Sequence, residues 1–178
     1  MIILPEDIRE ALSNFSEKEI NDFCIDAIRE KLVNNYTKIK QKKSPKIDSI
    51  QLFTDGGSRG NPGPAAAGWI IKKDNQIVKE GNKFLGETTN NQAEYQALIL
   101  GINDALKFSH KKLEIFMDSE LAVKQLKGEY KVKNADLKPI VEKIRILLNP
   151  INWSIHHIPR EKNKEADKLV NKAIDKKY

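Results

Sequence analysis

The chain has little that would cross-link it or carry it into a membrane. Its 178 residues include a single cysteine, Cys24, so no disulfide can close within the chain. Cys24 falls on the apolar face of a helix predicted from the hydrophobic spacing, where a buried thiol is the expected role. No stretch approaches the roughly 20 apolar residues that span a bilayer, and no membrane partner is expected. The first residues, Met-Ile-Ile-Leu-Pro-Glu-Asp, have neither a basic leader nor an apolar run ending in a small-residue cleavage site. A reducing, cytoplasmic setting is the expectation. With 39% hydrophobic residues the chain can still build an ordinary core, sized for one domain of about 130 residues plus a small appendage.

The formal charge of +6 is unevenly spread. Residues 1–37 hold four basic and eight acidic side chains; Lys38 to Lys46 add five lysines and no acid; residues 47–178 hold 22 basic and 17 acidic groups. An acidic appendage is thus tied by a basic segment to a basic main domain. Such a charge suits a polyanionic partner, because each neutralised phosphate releases counterions; a solubilising surface is the alternative.

In the appendage, Pro5 can open a short helix with Ile8, Ala11, Leu12 and Phe15 on one face. Ser16 with Glu19 forms a capping-box pattern ahead of Ile20, Phe23, Cys24, Ala27, Ile28 and Leu32, which predicts a second helix to about Val33. Two such helices bury little alone, so they must dock or pair with another copy. Their pattern resembles half of a ribbon-helix-helix dimerisation module, which implies a homodimer through residues 1–37; a stabilising helical cap is the alternative. Residues 38–46, broken by Ser44-Pro45, form a linker, and the main domain spans 47–178.

In that domain the patterning predicts strands over about 49–54, 66–72 and 76–85, with a tight turn at Asp74-Asn75. A long helix follows from Asn90 to Phe108, packing through Ala93, Ala97, Leu98, Gly101, Ala105 and Leu106. A strand over 112–117, a helix capped by Ser119, a helix over 136–148, a strand over 152–158 and a last helix carrying Ala166, Leu169, Val170, Ala173 and Ile174 complete it. The fold class is α/β: a mixed five-stranded sheet, three strands antiparallel and two parallel, flanked by helices. Ligands of such sheets sit beyond the carboxyl ends of parallel strands, and Asp55 and Asp118 are expected immediately after strands.

Glu94 is expected near the start of the long helix and Asp167 at the start of the last one. Four carboxylates from separate elements repel one another and raise one another's pKa, so their convergence makes sense chiefly around divalent cations. Hard cations such as Mg2+ prefer oxygen ligands and keep exchangeable waters. Two ions about 4 Å apart can activate water on one side of a phosphodiester and stabilise the departing 3′-oxygen on the other. Taken singly, each acid could equally be a cap, a turn residue or a solvated surface group.

Thr54-Asp55-Gly56-Gly57-Ser58 with Asn61-Pro62-Gly63, Thr88-Thr89-Asn90-Asn91-Gln92-Ala93-Glu94, Asp118-Ser119 and Ala166-Asp167 with Leu169 follow, in order and approximate spacing, the motifs of type 1 ribonuclease H. The resemblance covers residues 48–178. It implies an endonuclease that hydrolyses the RNA strand of an RNA–DNA hybrid, leaving 5′-phosphate and 3′-hydroxyl ends. It also implies two Mg2+ or Mn2+ ions, with Asp55 bridging them, Glu94 and Asp118 completing one site and Asp167 serving the other. The family's auxiliary histidine lies ten residues before its last aspartate, which points to His157; the stretch Ile158 to Asn163 resembles an archaeal-type variant in which Arg160 shares or replaces it. His156 is expected to face the other way.

Substrate contacts are expected from Gly60, Asn61, Asn90, Asn91 and Gln92, short polar groups suited to 2′-hydroxyls in a shallow minor groove. Thr88 and Thr89 are candidates for a DNA phosphate, and Asn163 for a further substrate contact. The chain resembles the members without a basic, tryptophan-bearing protrusion, having only Lys127 to Asn134 there. Lys131 and Lys133 are the phosphate candidates in that loop, with Lys38 to Lys46 as compensation. Alternatives are a catalytically weak or inactive hybrid-binding protein, or a related DNA nuclease of the same fold.

Overall fold

The computed structural model describes residues 48–177, with the isolated positions Glu6, Ser16 and Lys18. The helices expected within 1–37, Cys24, pairing through that stretch and the linker at 38–46 lie outside the described residues. The chain divides into units of residues 1–46 and 47–178, and the second is an α/β unit.

Its strands are β1 (Ser49–Ser58), β2 (Gly63–Lys73), β3 (Gln76–Thr88), β4 (Lys112–Met117) and β5 (Trp153–His157). The helices are α1 (Asn90–Ala105), α2 (Glu120–Leu126), α3 (Lys138–Leu148) and α4 (Lys164–Asp175), with a 3₁₀ turn at Arg160–Lys162. The sheet order is β3-β2-β1-β4-β5; β1, β2 and β3 are antiparallel neighbours, while β1–β4 and β4–β5 are parallel. This is the mixed five-stranded sheet that the patterning predicts. Asp74 and Asn75 both have positive φ, 54° and 64°, as a type I′ hairpin turn between β2 and β3 requires.

β2 is covered on both faces, which its sequence of small and β-branched residues allows. Ala65, Ala66, Ala67, Ile70 and Ile71 are all buried, with α1 and α4 both packed on the strand. Gly68 marks the close approach: a Cβ there would sit 2.5 Å from the Ala166 carbonyl oxygen of α4. In β4, Leu113, Ile115 and Met117 are buried and alternate with Glu114 and Phe116, the period of a half-covered strand.

Helix ends depart from the sequence reading for local reasons. α1 stops at Ala105 because the amides of Lys107 and Phe108 bond back only three residues, to Asp104 and Ala105, tightening the last turn. Leu106, expected on the packing side, is therefore 39% exposed. α3 begins at Lys138 because the Asn134 side-chain oxygen takes the amides of Asp136 and Leu137 at 2.8 and 3.4 Å, an alternative to a helical turn.

One buried polar chain ties α1 to the loop after α2. Tyr95, 1% exposed, donates its hydroxyl to Gln125 Oε1, and Gln125 Nε2 donates to the Lys131 carbonyl at 3.3 Å. Tyr95→Phe should lower stability by about 1–3 kcal/mol, because it leaves a buried acceptor without its donor. Urea unfolding of the two proteins would measure it, and an unchanged midpoint would remove the hydrogen bond as a stabilising element.

Candidate active site

The site is built by strand register. Parallel pairing of β1 with β4 ends with Phe53 opposite Phe116. Two residues further along each chain, Asp55 and Asp118 come level at the end of the parallel ladder. Asp55 does not follow a strand, contrary to the sequence expectation: β1 continues beside β2 to Ser58, with Asp55 opposite Gly68. What opens the crevice is that β4 ends first, at Met117.

Glu94 reaches the same place through a close backbone contact. A Cβ on Gly56 would lie 2.2 Å from both Ala93 C and Glu94 N, so only glycine lets β1 and α1 touch there. Gly56→Ala should therefore push strand and helix apart, costing about 1–3 kcal/mol and weakening cation binding. A melting curve and a Mn2+ titration on the variant test both effects; two unchanged results would mean that the contact is dispensable.

Ligand oxygens from Asp55, Glu94 and Asp118 all lie within 4.8 Å of one another. Burial, then the charges of Asp118 and Asp167, push the Asp55 carboxyl up to about 7, with Arg160 and the Gly56 amide opposing. Glu94 is pushed well above the ordinary carboxylate range by burial first, then by Asp55 and Asp118. Its Oε2 is buried with no hydrogen-bond partner among the described residues. Crowded hard oxygens, one of them unsatisfied, form a donor set that fits a divalent cation.

Asp167 sits in the first turn of α4 and lines the same cavity of about 320 Å³ as the other three acids. It stands apart from their cluster and is engaged by protein donors: Arg160 Nη2 at 3.0 Å and Asn171 Nδ2 at 3.1 Å. Arg160 is in the cavity lining, whereas His157, exposed at the end of β5, is not. His156 is also exposed, its ring stacked on Phe116 at 5.3 Å. The sequence reading missed Asn171, which follows Asp167 by one helical turn, and Ser58 and Arg59, which share the cavity wall; the i, i+4 spacing was the available signal for Asn171.

Other expected contacts divide into two groups. Gly60, Asn61, Asn90 and Asn91 are exposed; Asn61 Oδ1 accepts from the Asn90 amide at 3.2 Å and Asn90 Oδ1 from the Ser58 amide at 3.3 Å, joining the loop to the helix start. Thr89 and Gln92 form a capping box for α1, and the Thr88 hydroxyl donates to Gln92 Oε1. These three half-buried side chains start the helix that carries Glu94. Lys131 and Lys133 are exposed and line a second cavity, of about 560 Å³, with Asn91, Gln125 and Tyr130. Asn163 corrects its expectation: it is 2% exposed, so it has no surface for substrate.

A family model described as reverse transcriptase-like matches residues 53–173. Ribonuclease HI of Halobacterium salinarum is 44% identical over 128 residues, which cover 71% of this chain and 64% of that protein. Ribonuclease H of Pseudomonas fluorescens is 33% identical over 151 residues, covering 74% of this chain and 94% of that one. A bifunctional protein of Mycobacterium tuberculosis is 40% identical over 35% of its length; the chain thus spans from about a third to just under two thirds of some of its curated relatives. Among solved structures, ribonuclease H1 of Halobacterium salinarum superposes with a TM-score of 0.70 at 44% identity, covering 72% of this chain and 98% of that one. The LC11 ribonuclease H1, crystallised with an RNA/DNA hybrid, gives 0.68 at 46%, covering 71% and 97%.

Proposed function

Since this chain belongs to the type 1 ribonuclease H family, we propose that it hydrolyses the RNA strand of RNA–DNA hybrids in the cytoplasm, leaving 5′-phosphate and 3′-hydroxyl ends. The observation that carries the reading is the trio Asp55, Glu94 and Asp118 within 4.8 Å, with an unpartnered Glu94 oxygen buried among them. Asp55, Glu94, Asp118 and Asp167 would hold two Mg2+ or Mn2+ ions, Asp55 being shared. When bound, the ions supply an activated water and charge stabilisation for the departing 3′-oxygen.

The protein's own part is placement. Arg160 holds Asp167 through its guanidinium and brings positive charge to the cavity that the four acids line, whereas Arg59 in the same wall is paired with Asp175; Arg160 can meet a phosphate there, which favours it over His157 as the assisting group. The exposed amides of Asn61, Asn90 and Asn91 and the exposed backbone at Gly60 would meet 2′-hydroxyls of the RNA strand. Lys131 and Lys133, with Lys38 to Lys46, would neutralise phosphates without reading sequence. That a similar protein crystallises on an RNA/DNA hybrid supports the substrate.

The test is cleavage of a labelled hybrid beside the matching DNA duplex and single-stranded RNA, with Mg2+, with Mn2+ and with chelator. The expected result is cation-dependent cutting of the RNA strand of the hybrid only. Equal cutting of the DNA duplex would make this a DNA nuclease of the same fold, and hybrid binding without cutting would make it a binding protein.

A further inference from the structure

The buried amide of Asn163 is not explained by the helix that it precedes. Asn163 occupies the N-cap position of α4, yet its side chain makes no capping hydrogen bond. It turns inward instead and is 2% exposed. Its Nδ2 donates to the Thr54 carbonyl at 3.0 Å and to Asp118 Oδ1 at 3.0 Å, so both amide protons are used. The Oδ1 of Asn163 is left buried with no partner among the described residues. An asparagine here thus forgoes a cap, where it would stabilise the helix, and strands its own acceptor. Turning the amide over would set that oxygen against two other oxygens, so its orientation is fixed by what it meets.

The two acceptors matter because of where they lie. Thr54 immediately precedes Asp55 on β1, and Asp118 immediately follows β4. Beyond Phe53 and Phe116 no ladder pairing joins those strands. One side chain therefore replaces the missing ladder at the point where two carboxylates must stay together against their mutual repulsion.

We propose that Asn163 is a positioning residue. It clamps one oxygen of Asp118 to the backbone of β1 and so turns the rest of that carboxylate toward Asp55 and Glu94 for a divalent cation. The inference rests on the cation-dependent reading given above. Only asparagine meets the geometry: aspartate has no proton for either acceptor at neutral pH, serine has one, and glutamine is a methylene too long.

The experiment is calorimetric titration of Mn2+ into the full chain and into Asn163→Ala and Asn163→Ser, with steady-state hybrid cleavage measured across Mn2+ concentrations. Asn163→Ala should bind Mn2+ roughly 10- to 100-fold more weakly, the loss typical of removing a group that orients a ligand, and Asn163→Ser should fall between. The cleavage defect should lie in kcat at low Mn2+ and recover as Mn2+ is raised, with the KM for hybrid unchanged. A folded Asn163→Ala with unchanged Mn2+ affinity overturns the proposal, as does a defect in KM or one that extra Mn2+ cannot relieve. If neither variant folds, by circular dichroism, Asn163 is a determinant of the fold and the proposal is likewise wrong. Absence of Mn2+ binding by the unsubstituted chain would instead remove the functional reading itself, and this inference with it.

Discussion

Asp55→Asn should lower hybrid cleavage by about 10³-fold or more while making the cation-free protein more stable at pH 8. Both effects come from one carboxylate. Asp55 is 7% exposed and shares its space with Glu94 and Asp118, so ionising it there is unfavourable; its pKa of about 7 expresses that cost. The amide keeps the shape and removes the charge, which relieves the repulsion in the absence of a cation. The same change takes one negative charge out of the cluster of Asp55, Glu94 and Asp118, so the site loses part of the field that would hold a cation against a phosphate. Function and stability should therefore move in opposite directions, as they do where a site is held in a strained state. Hybrid cleavage with Mg2+ measures the first effect, and a thermal melt in chelator the second. A variant that cuts within tenfold of the parent, or melts lower than it, contradicts this account.

The sheet was readable from the sequence because its signals are local. Leu113, Ile115 and Met117 alternate, Asp74-Asn75 takes the left-handed conformation without a bulky side chain to oppose it, and Ala166 to Ile174 repeat at helical spacing. The acids were readable as a set because their motifs keep order and spacing. What local pattern could not show was which neighbour stops first. Asp55 lies inside β1 because β2 continues to pair with it after β4 has ended, a fact of three strands at once. The inward turn of Asn163 is equally non-local: its partners are 109 and 45 residues away, and position alone makes it a cap or a surface group. Thr89 and Gln92 show a local role that their spacing encodes, a capping box that Thr88 joins through Gln92. Arg160 and His157 were left as alternatives by spacing, and the 3₁₀ turn after β5 decides which of them reaches the cavity.

Without cations, the protein should lose stability as pH rises from about 4 to about 7, by up to about 4 kcal/mol from Asp55 alone. The sign follows from the direction of the shifts. Asp55 and Glu94 both titrate above the ordinary carboxylate range in the folded state. In that interval the folded chain holds protons that the unfolded chain has already released, so raising the pH favours unfolding. The loss is complete for Asp55 above about pH 7, and Glu94 contributes in the same direction. Asp48 and Glu120, lowered chiefly by hydrogen bonds from Lys73 and Lys124, act in the opposite sense, but they are exposed and screened. Saturating Mg2+ or Mn2+ should flatten the dependence, because a cation binds the ionised cluster and stabilises the folded state by mass action. Melts in chelator and in Mn2+ at a series of pH values measure the difference. Asp55→Asn should reduce the slope even in chelator, leaving the part that the burial of Glu94 contributes, which ties the lost part to this carboxylate rather than to net charge. A cation-free melting temperature that is flat or rises across the interval would mean that these acids are neither as buried nor as crowded as the fold places them.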